Sequence, residues 1–104
     1  MTLLLRERET PEGLLVSVCD DDCLGETYEA ERNGVSLEVT ETFYGGEEAV
    51  EADPERVVDS LHRATTANIV GDRAVDVAID AGLIDGNRVL DLDGTRHAQL
   101  LRMR

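Results

Sequence analysis

"ATTANIVGDRAVDVAIDAGLI", residues 64–84, decides how this chain is built. Ala64, Thr65, Asn68 and Ile69 continue the helical spacing of Val57, Val58 and Leu61 before them. Asp53 is a natural N-cap and Pro54 suits the first helical position, so a helix is expected to start there. Gly71 then ends it and Asp72 caps a second helix, with Val75, Ala78 and Ile79 inward and Gly82 as its C-cap. Two helices meeting at a glycine turn resemble a helix-turn-helix on paper. The would-be recognition helix, however, carries Asp76 and Asp80 against the single base Arg73, and such a surface repels the DNA backbone. The expectation is a two-helix hairpin packed on a sheet.

The strands lie on either side of that segment. "TLLLRERE", the turn "TPEG" and "LLVSVCD" predict two strands joined by a turn at 11–13. The second is apolar on both faces and therefore central in its sheet. Residues 20–35 are polar and punctuated by Gly25 and Gly34, which predicts a loop with one helical turn. "VSLEVTETFYGG" alternates as a third strand with one wet face. "NRVLDLDGTRHAQLLRM" predicts a hairpin closed by Asp93-Gly94, a register that sets Asp91 opposite Arg96 and Leu90 opposite His97. The result is an α+β fold of order β-β-β-α-α-β-β, a mixed, mostly antiparallel sheet of about five strands in a single domain spanning 1–104. At 41% apolar residues, but with Tyr28, Phe43 and Tyr44 as the only aromatics, the core must be aliphatic.

Every one of the ten bases is arginine, against 23 acids, for a formal charge of −13. The acids are interleaved with clean apolar periodicity, which excludes an acidic disordered tail and points to a salt-loving cytoplasm where carboxylates keep the surface hydrated. No run approaches a membrane helix or a secretory leader, so a cytoplasmic location without membrane contact is expected. Residues 9–86 hold 20 acids and 4 Arg. Base outnumbers acid only at the ends, at Arg6 and Arg8 and across 95–104 with Arg96, Arg102 and Arg104. Such ends either pair with neighbouring carboxylates or contact phosphate, which the planar guanidinium suits.

"VCDDDCLGETY", residues 18–28, sets Cys19 and Cys23 around three aspartates. A zinc site would have to recruit both cysteines with His62 and His97, which fall on different predicted elements. A disulfide would close a very small loop in a reducing compartment. An enzyme would use Cys19 as nucleophile with His97 as base and Asp20 nearby. The plainer expectation is Cys19 buried at the end of a central strand, Asp20 to Asp22 hydrating a loop and Cys23 filling a loop position, with no metal and no cofactor.

In "FYGGEE", residues 43–48, alternation turns Phe43 to the core and leaves Tyr44 as a platform beside Gly45 and Gly46, or as cover for a sheet edge. The glycine pair is no phosphate loop, since that loop needs a lysine and the chain has none. Asn68 and His97 read either as packing residues or as parts of a site.

Taken together, "VCDDDCLGETYE", "EVTETFYGGE", "ATTANIVG" and "DGTRHAQLL" resemble the archaeal family catalogued as domain of unknown function 424, and the composition resembles that of a haloarchaeal member. The family-like positions are Cys19, Asp20, Leu24, Gly25, Phe43, Tyr44, Gly46, Asn68, Gly71, Gly94 and His97. The resemblance implies a small α+β protein with no assigned reaction and a loose link to RNA or translation. The leading expectation is a non-enzymatic domain that works with RNA or a ribosome-associated protein. Its contacts would come from Tyr44, Gly45, Gly46, Asn68, Arg96, His97 and Arg102. The alternatives are a small hydrolase or transferase built on Cys19, His97 and Asp20, and a subunit that adds an edge strand to a partner sheet.

Overall fold

The computed structural model describes residues 2–29, 36–38, 49–92 and 94–101. Within them the α+β class holds, as a mixed six-stranded sheet with two helices on one face and a separate two-stranded ribbon. Strands β1 (Leu3–Thr10) and β2 (Gly13–Asp20) form the expected hairpin. A single 3-10 turn, Asp21–Cys23, follows, then β3 (Thr27–Glu29) and β4 (Ser36–Glu38), which pair with each other. The rest of the predicted third strand lies outside the described residues. Next come β5 (Val50–Ala52), α1 (Pro54–Arg63), β6 (Thr66–Val70), α2 (Asp72–Asp80), β7 (Leu90–Leu92) and β8 (Thr95–Leu101). The sheet order is β5-β1-β2-β6-β8-β7, antiparallel throughout except for the parallel central pair β2 and β6.

The helix hairpin is corrected. Residues 66–70, read as the second half of a long helix, are a strand at the centre of the sheet, so the two helices are separated by it. The helix stops where Ala64 turns to extended backbone, and the Thr65 amide donates to the Leu14 carbonyl, which joins the chain to β2. From there Ala67 and Ile69 bury into the helical layer while Val70 buries into a small cluster on the opposite side. A short strand apolar on both faces shows no alternation, and over five residues it is indistinguishable from a helical stripe.

The core lies between the sheet and the helices, built from Leu3, Leu5, Val16, Val18, Ile69 and Ala98 below and Val57, Leu61, Val75 and Ala78 above. Asp53 caps α1 as expected, its carboxylate accepting the Arg56 amide at 2.9 Å. The cap of α2 is not the expected Asp72. The carboxylate of Asp20, at the end of β2, accepts the amides of Arg73 and Ala74 at 3.2 and 2.9 Å. Gly71 makes this approach possible: its φ is +110°, and a Cβ there would sit 2.4 Å from the Asp20 Cγ. In the C-terminal hairpin the predicted register holds, with Leu90 opposite His97 and Asp91 opposite Arg96. Gly94 supplies a φ of +96°, while Asp93 lies outside the described residues. Among the described residues no helix is long and apolar enough to cross a membrane.

Candidate functional site

On the sheet face away from the helices, the end nearest the 3-10 turn is closed. Cys19, Cys23 and Val70 form a small buried cluster, covered by Leu4, Leu24 and Tyr28. Cys19 is fully buried, and burial, reinforced by Cys23 and by Asp20 to Asp22, pushes its thiol up to about 12. Cys23 is buried rather than filling a surface loop, with its Sγ 3.8 Å from the Thr95 hydroxyl, and its thiol is also raised by burial. Both are free thiols.

His97 shares this face but not this pocket. The register places Cys19 beside Val70 and Val70 beside His97, so two strand spacings of roughly 10 Å in total separate the thiol from the imidazole. A nucleophile and its base must approach to hydrogen-bond distance, and these do not. His97 is half-buried, its Nε2 has no hydrogen-bond partner among the described residues, and burial lowers its pKa. His62 lies on the exposed side of α1, in the opposite layer, so the two histidines do not converge on the two cysteines. Among the described residues, ligand atoms of Asp20, Asp22 and Cys23 fall within 4.8 Å of one another. Both Asp20 oxygens are already occupied by the amides that start α2.

Away from that cluster the same face is open and different in character. Alternation along β1 sends Glu7 to the helices, where it accepts from Ser60 and Arg63 at 2.7 and 2.6 Å, and sends Arg6 and Arg8 to the open side. Arg6, Ser17, Asn68 and Gln99 make one row across β1, β2, β6 and β8, and Arg8, Leu15, Thr66 and Leu101 make the next. Gln99 Nε2 donates to Asn68 Oδ1 at 2.9 Å, tying the two amides together across the strands. Ser17 is buried, whereas Arg8 and Gln99 are exposed and Leu101 is 73% exposed. Among the described residues, these four central strands present no carboxylate on this side. In a chain with 23 acids these four strands stand out, while Glu51 on the edge strand β5 lies in register with Leu4 on the same side.

The residues predicted to carry function therefore divide. Asn68 and His97 share the open side on neighbouring strands, His97 lying two residues along β8 from Gln99, the partner of Asn68. Arg96 points to the helices, where its guanidinium is held by Asp72 and Asp76 at 2.9 and 2.6 Å. Asp20 caps α2 and Cys19 is core. Tyr44, Gly45, Gly46 and Arg102 lie outside the described residues. Gln99 and Thr66 were missed, since a lone Gln or Thr on a strand gives no signal until its cross-strand neighbours are known. Arg6 and Arg8 were visible as bases outnumbering acid at the start of the chain.

Comparison with known proteins places the chain without naming a reaction. Its structure is similar to the crystal structure of an uncharacterized conserved protein from Methanopyrus kandleri, with a TM-score of 0.74 and 26% identity. The similarity covers 100% of this chain and 96% of that one. No curated protein matches the sequence. The family model described as "Protein of unknown function (DUF424)" matches residues 7–103.

Proposed function

The chain belongs to the DUF424 family, whose description names no reaction, and we propose from that premise that it is a binding domain rather than an enzyme. Its partner is RNA, free or in a ribonucleoprotein, held on the open sheet face in a salt-rich cytoplasm. The observation that carries this reading is the row pattern of that face: Arg6 and Arg8 beside uncharged amides, hydroxyls and leucines, with no carboxylate on this side of the four central strands. Guanidinium groups suit phosphate, and amides suit base edges. The enzyme alternative is weakened by the burial of Cys19 and its distance from His97.

Sedimentation of a native lysate at high salt, with and without RNase, tests the reading. Migration with large particles that RNase abolishes is the expected result. Sedimentation as a free small protein in both gradients would overturn it.

A further inference from the structure

We infer that the nucleic acid taken by the open face is single-stranded, lying along β1 with its bases turned toward β6 and β8; this rests on the RNA reading above. Arg6 and Arg8 stand two residues apart on one side of one strand, about 7 Å along it, so they offer a single short line of positive charge. A duplex presents two phosphate rows flanking a groove, and reading it takes a helix, ribbon or loop that projects into that groove. Among the described residues the ribbon of β3 and β4 stands at the other end of this face, where Tyr28 covers the cysteine cluster, and the rows that hold Arg6 and Arg8 are the side-chain layer of a sheet. A guanidinium has five N–H donors, so each arginine can hold a phosphate oxygen while engaged elsewhere.

The rest of the face fits an unpaired strand. From β1 to β6 is two strand spacings, roughly 10 Å, about the reach from a backbone phosphate to the far edge of its base. At that distance stand Asn68 and, one strand further, Gln99. Their mutual hydrogen bond uses one donor and one acceptor position. It leaves N–H and carbonyl capacity on both amides and fixes how they are presented. Such groups pair with the Watson–Crick edges of bases, which a duplex uses for its own pairing. Between the arginines and the amides lie no charges: Ser17 is buried and Leu15 half-buried. Phosphate recognition and base recognition thus occupy opposite sides of the face.

The test is fluorescence anisotropy at high salt, using a labelled unstructured RNA and the same RNA annealed to its complement. Wild-type protein and the variant Asn68→Ala with Gln99→Ala are compared, with native folding checked by circular dichroism. The expected result is binding of the single strand at least about tenfold tighter than the duplex, and a loss of about tenfold on removing both amides. Equal binding of duplex and single strand overturns this inference while leaving the RNA reading in place. Unchanged single-strand affinity in the amide variant overturns the assignment of the base-facing side. Absence of binding to either probe overturns the RNA reading itself, and this inference with it.

Discussion

Asp20 and Gly71 form the contact on which one helix depends. The Asp20 carboxylate satisfies two of the amides that α2 leaves unpaired, and the absence of a Cβ at residue 71 lets it approach. Asp20→Ala should cost about 1–2 kcal/mol in denaturant unfolding, the usual value of an N-cap. Gly71→Ala should cost about 1–3 kcal/mol for the positive φ, with the collision against Asp20 in addition. The double variant should be less destabilised than the sum of the two, because removing the carboxylate removes the collision. Full additivity would show that the two residues do not share this contact. The thiols are equally decisive at this scale. With Cys19 buried and pushed up to about 12, and Cys23 raised as well, neither should react with a thiol reagent in the folded protein at neutral pH. Both should react once denaturant is added, and rapid native labelling of Cys19 would restore the nucleophile reading.

Individual elements show what sequence can and cannot convey. The start of α1 at Asp53-Pro54 and the register around Gly94 were legible because each is set by chemistry within a few residues. Arg6 and Arg8 were legible as part of a base-rich end, but the side they take became clear only from the pairing of β1, which turns Glu7 to the helices. Strand β6 was not legible, since Ala67, Ile69 and Val70 bury on both faces and leave no alternation to set five residues apart from a helical stripe. Nor was the true cap of α2, which arrives from a residue far away in the chain. Two elements also carry pH dependence. Glu7 on β1 has its pKa lowered by the Ser60 hydrogen bond and then by Arg63, both on α1. Its contribution is present above its unfolded value near 4.5 and is lost as pH falls through the lower folded value. On β8, burial lowers the His97 pKa below 6.5, so on acidification the unfolded chain takes up a proton that the folded one still refuses. Stability from this source is complete above about 6.5 and declines below it. His97→Gln should flatten that part of the stability profile measured by thermal melts, and an unchanged slope would remove His97 as its source.

At the scale of the whole molecule, charge is separated between two layers. The helical layer carries Arg63 and Arg96 among many carboxylates, whereas the open side of the four central strands carries Arg6 and Arg8 and, among the described residues, no acid. A single-stranded RNA contacting two phosphates should show log affinity falling with log salt at a slope of about −1.4. A shallow slope lets binding persist at high salt. The layering also supplies its own control. Arg6→Glu with Arg8→Glu and Arg63→Glu with Arg96→Glu change the net charge equally, but on opposite sides of the molecule. Binding of a labelled single-stranded RNA by these two variants and the wild type, each confirmed as folded, is the most direct measurement. Loss of binding by the first pair and its retention by the second is the predicted result. Equal loss in both, or retention by the first pair, would contradict the assignment of the open sheet face.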